Sequence, residues 1–199
     1  MHPFLLKENY TSKNLYNKVI KLTENQVQKI SNGLDWVVKY HPSAVLVGGT
    51  ALVHYLSGGR DLTPDIDFIV GDMSKLKSLL DDQDILYRPL RDDNNNAIGI
   101  TVNKFNTDFL DASMNSRELN KLILQSSNIA KIGGYNVKIV SPELLAIMKL
   151  ELGRDKDIKD GFNLITSGLL NKNEYVNLTT HLKKYLQDYA SIANYADMI

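Results

Sequence analysis

The stretch VGGTALVHYLSGGRDLTPDIDFIV, residues 47–70, places two glycine pairs and an Asp-x-Asp motif inside an apolar segment. Side chains alternate along a β-strand, so Asp65 and Asp67 point to one face and their apolar neighbours to the other. Two such carboxylates lie about 7 Å apart along the strand, where they repel each other and raise one pKa. A divalent cation removes this cost, and these oxygen ligands suit Mg²⁺. An isolated Asp-x-Asp motif is more often a solvated strand face.

The segment before the motif makes the metal interpretation more specific. The run Ser43–Val47 predicts a short strand that stops at Gly48 and continues directly into a helix. Glycines allow a sharp turn and a close approach of ligand, and free N–H groups at a helix start attract anions. Gly48, Gly49 and Thr50 therefore predict a phosphate site next to the magnesium site. The alternative for the glycine pair is a simple tight turn.

Composition excludes several classes of function. The chain has 199 residues, which suits one domain, and it contains 23 basic and 23 acidic residues, so no net charge favours nucleic acid or membrane binding. Cysteine is absent, which excludes disulfides, thiolate catalysis and cysteine–zinc sites. The N-terminal sequence lacks a signal-peptide pattern, and no apolar run approaches the ~18 residues of a membrane span. We expect a cytoplasmic protein without membrane contact.

Periodicity predicts helices at both ends of the chain and strands in between. Residues 1–40 are predicted to be helical, with a capping box from Thr23 to Gln26. The pattern after residue 72 predicts a helix over 73–84 and a loop or hairpin tip over 91–99. Predicted strands cover residues 43–47, 65–71, 98–102, 107–112 and 133–140.

The C-terminal part has several helix-start signals. Ser141 precedes a proline at the first helical position, a further amphipathic stretch covers 155–165, and a capping box at Asn171 opens a last helix through about Tyr189. The predicted fold is α+β, a small mixed β-sheet core flanked by helices with a C-terminal helical region. We assign residues 1–140 to the core with its N-terminal helices and residues 141–199 to a helical region packed on it.

Residues 47–70 resemble the core motif of the nucleotidyltransferase superfamily with the DNA polymerase β-type fold. The resemblance is closest to the minimal prokaryotic branch that includes the AbiE-type abortive-infection toxins. Arg60, Thr63, Asp65 and Asp67 match the pattern Arg-x-Thr-x-Asp-hydrophobic-Asp with one extra spacer. The tail VKIVSPELLAIMKLELGRDKDIKDGFNLI also resembles this branch, so the resemblance extends over roughly residues 45–165.

The family resemblance implies a third carboxylate on a neighbouring strand. Asp108 and Asp111 are the candidates, and because they are three residues apart a strand turns them to opposite faces. Asp108 precedes an apolar pair and fits the family pattern better. Asp111 is then expected to end the strand or to cap the next turn.

Two cations are further candidates for the nucleotide site. The resemblance implies that Lys149 is carried toward the nucleotide phosphates, where a point charge is useful. In the alternative, Lys149 only extends past a core face to solvent. Arg60 either contacts a phosphate or braces the adjacent glycine loop. Asp157 and Asp160 either hold Lys149 or form a solvated helix start.

The core face of the helix predicted after Ser141 is expected to consist of Leu145, Met148 and Leu152.

Together the motifs and the resemblance predict a Mg²⁺-dependent nucleotidyltransferase that moves a nucleoside monophosphate from an NTP to an acceptor hydroxyl. Asp65, Asp67 and Asp108 would hold two Mg²⁺ ions. The acceptor could be a tRNA 3′ end, a protein hydroxyl or a small molecule. The alternative is a catalytically weak toxin–antitoxin or regulatory nucleotide-binding module with an antitoxin partner.

Overall fold

The computed structural model describes residues 23–56, 65–114 and 117–199, and within them the strands form one mixed sheet of seven strands. The spatial order is β3-β4-β5-β2-β1-β7-β6. The pairs β2/β5 and β1/β7 are parallel and the other neighbours are antiparallel. The strands are β1 (Val45–Val47), β2 (Ile66–Val70), β3 (Arg88–Arg91), β4 (Ala97–Val102), β5 (Thr107–Asp111), β6 (Asn128–Ile132) and β7 (Tyr135–Ile139).

Helices flank the sheet and make up most of the C-terminal part. They are α1 (Glu24–Tyr40), α2 (Gly48–Tyr55), α3 (Met73–Asp81), α4 (Arg117–Gln125), α5 (Pro142–Leu152), α6 (Asp155–Ile165), α7 (Lys172–Leu182) and α8 (Tyr189–Asn194), followed by a 3₁₀ turn over Tyr195–Met198. This arrangement confirms the predicted α+β class.

Helix α1 covers one face of the sheet. The capping box at Thr23 is present, and the apolar side of the helix is buried. Trp36 on α1 lies 6.2 Å from the ring of Phe109 in β5, measured between ring centroids. Phe109 in turn stacks on Phe68 of β2. Because side chains alternate along a strand, Asp108 in β5 and Asp67 in β2 point to the opposite face.

The β3–β4 hairpin was only partly anticipated. The middle of the polar stretch over 91–99 does form the tip, where the Asp92 side chain accepts hydrogen bonds from the backbone N–H groups of Asn94 and Asn96, but Arg91 and residues 97–99 belong to the two strands. Strand β3 was not predicted, because its sequence RPLR does not alternate and contains a proline. An edge strand tolerates such a residue since one side of its backbone has no partner strand.

Three other elements differ from the sequence-based expectation. Strand β6 and helix α4 were not predicted. The last helix was expected to continue to about Tyr189, but α7 ends at Leu182 and a separate helix begins at Tyr189. The Asp188 carboxylate accepts from the N–H of Ser191 and so caps the new helix. That prediction was wrong because this cap starts a second helix.

The C-terminal helices share the hydrophobic core with the sheet. The Tyr55 hydroxyl on α2 donates to the carbonyl of Val140 at 2.6 Å, and the buried apolar residues of α5 belong to the same cluster as those of β1 and β2. A boundary at residue 140 stays a prediction. The expected helices over residues 1–22 lie outside the described residues. Within the described part, no helix has the length and apolar character needed to cross a membrane.

Candidate active site

Three carboxylates meet on the sheet face opposite α1. Asp65 immediately precedes β2, Asp67 lies within it, and Asp108 lies in β5. In the parallel pairing of β2 with β5, Asp67 lies directly opposite Asp108. One oxygen from each of the three side chains lies within 4.8 Å of the others. Asp65 is exposed, whereas Asp67 and Asp108 are partly buried.

The protonation of this cluster reflects its like charges. Burial, reinforced by the charges of Asp65 and Asp108, raises the pKa of Asp67 to about 7. Burial also raises the pKa of Asp108, with the Asp65 charge adding to the effect and with Thr101 and Arg88 opposing it. Near neutral pH the cluster therefore retains a proton unless a cation enters.

Gly48 packs directly against this cluster. Strand β1 pairs with β2 so that Val47 lies opposite Asp67, and the chain then turns into α2 at Gly48 with φ of 67°. A Cβ atom on Gly48 would lie 1.9 Å from Oδ2 of Asp67. Only glycine fits here, for a steric and a conformational reason.

The two residues after Gly48 also contact the acids. The backbone N–H of Gly49 hydrogen-bonds to Asp67 and lowers its pKa. The Thr50 hydroxyl donates to the backbone carbonyl of Asp65 at 3.3 Å. Sequence reasoning missed this role, because it depends on the pairing of β1 with β2. Binding of a phosphate by Gly48, Gly49 and Thr50 stays a prediction.

The two alternatives for the third carboxylate occupy different environments. Asp108 joins the cluster. Asp111 lies opposite Val70 in the register of β5 with β2. Its carboxylate accepts from the N–H of Ser113 at 2.8 Å and from the Ser113 hydroxyl at 2.7 Å. Asp111 therefore caps the turn after β5.

Lys149 lies in a second, internally balanced charge cluster. Its Nζ is 2.7 Å from Oδ1 of Asp157 and 3.5 Å from Oδ2 of Asp160, and Arg154 also pairs with Asp157. Lys149 is 4% exposed and Asp157 is fully buried. Burial raises the pKa of Asp157, but the hydrogen bonds and charges of Lys149 and Arg154 outweigh it, so the pKa is lowered.

Two expectations for α5 change as a result. Lys149 does not extend to solvent. It is held by the two aspartates, and its charge also lowers the pKa of Asp67. The predicted core face was partly wrong, since Leu145 is buried but Leu152 is 45% exposed. Leu152 is the last residue of α5, and the buried residues of the helix lie before it on a surface wider than one stripe. That surface also includes Leu144, Ile147 and Leu150. A phosphate contact of Lys149 stays a prediction, and Arg60 lies outside the described residues.

The donor set of the acid cluster fits a hard divalent cation. Three carboxylates supply oxygen ligands within a space suited to ions, and Mg²⁺ prefers such ligands while keeping waters. Burial and the neighbouring acids raise the pKa of Asp67, and a bound cation would favour its charged form. Asp65, Asp67 and Asp108 thus fit Mg²⁺.

Comparison with known proteins supports the fold. No protein-family model matches the chain, and no curated protein matches its sequence. Among solved structures, the chain is similar to an antigenic nucleotidyltransferase-like protein from Paracoccidioides brasiliensis, with a TM-score of 0.50 and 17% sequence identity. The alignment covers 88% of this chain and 94% of that chain. At this identity the similarity shows a shared fold alone, and the nucleotidyltransferase superfamily and its AbiE-type branch both stay predictions.

Proposed function

We propose that this protein is a nucleotidyltransferase that moves a nucleoside monophosphate from an NTP to an acceptor hydroxyl. The observation that carries the proposal is the convergence of Asp65, Asp67 and Asp108 on one face of the sheet. The nucleotidyltransferase-like fold supports the same conclusion.

Asp65, Asp67 and Asp108 would together hold Mg²⁺, in two ions as the family resemblance implies. When bound, Mg²⁺ neutralises charge on the triphosphate and on the departing pyrophosphate. Gly48 leaves room for the Asp67 carboxylate, since any side chain at this position would collide with it.

Asp108 is proposed as the residue that orients or deprotonates the acceptor hydroxyl. Its carboxylate lies beside those of Asp65 and Asp67, so an acceptor hydroxyl held at the cluster would be within reach of a general base. Gly48, Gly49 and Thr50 are proposed to lie under the triphosphate at the start of α2. Arg60 and Lys149 are proposed to add positive charge on the nucleotide side.

The identity of the acceptor is a separate proposal. A tRNA 3′ end, a protein hydroxyl and a small molecule are all compatible with the cluster, and we place the reaction in the cytoplasm. The alternative, a catalytically weak toxin–antitoxin or regulatory module, is disfavoured by the acids themselves. Three acids gathered on one face destabilise a fold that has no cation to bind there.

The test begins with binding. A thermal-shift panel with each NTP, with and without Mg²⁺, should show a higher unfolding temperature for at least one NTP only when Mg²⁺ is present. Radiolabel transfer to candidate acceptors then follows. If no nucleotide changes the unfolding temperature, the proposal is contradicted.

Asp108 and Asp111 provide a matched pair of variants on one strand. Asp108→Asn should still bind NTP but transfer no label, because Asp108 acts on the acceptor in the transition state. Asp111→Asn should transfer label at the wild-type rate and cost about 1 kcal/mol or less of folding stability, since it loses only a turn cap. Loss of transfer in Asp111→Asn alone would reverse the assignment, and retained transfer in both would reject the three-carboxylate mechanism.

A further inference from the structure

A cavity of about 390 Å³ lies at the C-terminal end of β5, between the β3–β4 hairpin and the helices α4 and α5. Small-molecule sites usually measure about 300–1,000 Å³, so this cavity is large enough for a small ligand. Asp111 lines it, and along β5 Asp111 lies about 10 Å beyond Asp108. None of the three acids of the candidate active site is among the described residues that line the cavity. The cavity is therefore separate from the acid cluster.

Apolar side chains that solvent reaches form part of its walls. Met114, which follows β5, and Leu152, the last residue of α5, both line the cavity and are each 45% exposed. Leu110 and Met148 add two partly buried apolar side chains. Apolar side chains grouped in a concavity mark a ligand-binding groove, unlike those scattered singly over a surface. A ligand that fills this cavity therefore has an apolar portion.

The charged side chains of the cavity have one sign. Asp92, Asp111 and Glu151 line it, and no lysine, arginine or histidine of the described residues does. Asp111 and Glu151 form no salt bridge with any residue of the described ranges. A cationic ligand complements such a lining, whereas an anion such as a nucleotide is repelled by it.

Two of these carboxylates keep oxygen lone pairs available to a ligand. Asp111 accepts both of its hydrogen bonds from Ser113 on Oδ1, and the two oxygens of Glu151 share the single backbone N–H of Gln187 at 3.2 and 3.1 Å. An ionised carboxylate has about four acceptor positions, so each can accept further donors. Burial raises the pKa of Glu151, the N–H of Gln187 opposes this effect and the charge of Asp188 adds to it. A bound ammonium group would favour the charged form.

We propose that this cavity binds an open-chain aliphatic diamine or polyamine. Its methylene segments pack on the apolar walls around Met114 and Leu152, and its ammonium groups donate charge-assisted hydrogen bonds to Glu151 and Asp111. Such a molecule has no hydroxyl group, so it is not an acceptor in the proposed reaction. The cavity is thus a second ligand site, and the argument for it stands independently of the proposed function.

The first experiment is calorimetric titration of the protein with spermidine, with pentane-1,5-diamine and with pentane-1,5-diol. At least one of the two amines should bind, and the diol should not, because it has the same chain length without the charge. Glu151→Gln should weaken amine binding about tenfold or more, since it removes the charge but keeps an acceptor for the N–H of Gln187. Failure of both amines to bind, or equal binding of the diol, would overturn the proposal.

Asp67→Asn locates the bound amine, because the acid cluster is the other place in the described chain where carboxylates gather. This variant should bind the amine as the wild type does. Weaker binding in Asp67→Asn would place the amine at the acid cluster and overturn the assignment to the cavity.

Leu152→Lys tests the same site without changing a carboxylate. The new side chain starts from an exposed position at a helix end and brings an ammonium group to the cavity, so amine binding should fall at least tenfold. Leu86→Lys is the matched control, because it makes the same charge change at a residue that is 89% exposed and does not line the cavity. It should bind the amine as the wild type does. Wild-type affinity in Leu152→Lys, or equal weakening in both variants, would overturn the proposed site.

Discussion

Two groups of aspartates in this molecule have opposite electrostatic environments. Asp157 is buried against Lys149 and Arg154, and its pKa is lowered. Asp67 is partly buried beside two other acids, and its pKa is raised to about 7. Burial alone raises the pKa in both places, so the difference arises from the neighbouring charges. The first group is paired with basic side chains, whereas the second gathers like charges and holds a proton more tightly.

The pH dependence of the free energy of unfolding should therefore have opposite signs for the two groups. For Asp157 the lowered pKa means that its contribution is present above the ordinary aspartate pKa and is lost as the pH falls through the folded value. For Asp67 the folded state binds the proton more tightly than the unfolded chain. The contribution of Asp67 to the free energy of unfolding is then largest at acidic pH and is lost as the pH rises toward about 7.

The largest effect is expected from breaking the balanced group. Lys149→Met should lower the free energy of unfolding by about 3 to 5 kcal/mol, because it removes the buried cation that Asp157 and Asp160 share. Lys121→Met is the control, since Lys121 pairs with Glu118 at the surface and should cost about 1 kcal/mol or less. Urea denaturation measures both. Equal effects in the two variants would show that burial of the Lys149 pair has no energetic consequence.

A second effect tests the packing of the acid cluster. Gly48→Ala should cost about 2 to 4 kcal/mol, because the new Cβ collides with Asp67 and the backbone has positive φ. Gly168→Ala separates these causes. Gly168 has φ of 74°, and apart from its chain neighbours no atom of the described residues lies within 4 Å of a Cβ built on it. It should cost about 1 to 2 kcal/mol. If thermal or chemical denaturation gives the same loss for both, the contact with Asp67 contributes nothing.

The smallest effect has the opposite sign. Asp67→Asn should raise the free energy of unfolding in the absence of metal by about 1 to 3 kcal/mol at about pH 8, with no gain at about pH 4. The gain should develop between these pH values, because wild-type Asp67 loses its proton with a pKa of about 7. Denaturation curves across this range, with and without Mg²⁺, provide the measurement.

Addition of Mg²⁺ should stabilise the wild type more than Asp67→Asn, and the wild-type response should grow as the pH rises through 7. A variant that is less stable than the wild type at about pH 8 without metal would mean that Asp67 is a structural residue.

Local sequence determined much of the fold and part of the site. The β-branched run before Gly48 and the alternation around Asp67 predicted strands at the correct places, and helix caps such as Ser141 marked real helix starts. These signals depend on neighbours within a few residues, so they can be recognised without knowledge of the rest of the molecule. They also placed Asp67 on a strand with Asp65 just before it.

Contacts between residues distant in the sequence were decided by the tertiary structure. Thr101, Asp108 and Asp67 become neighbours through the registers of two strand pairs, which no local pattern encodes. Edge strands such as β3 also lacked a clear pattern, because their side chains are mostly exposed. The charge state of Asp67 and the burial of Lys149 depend on which groups surround them after folding. Sequence thus determined which residues could carry the chemistry, whereas strand pairing and burial decided which of them share a site, because electrostatic and packing energies depend on distance in space.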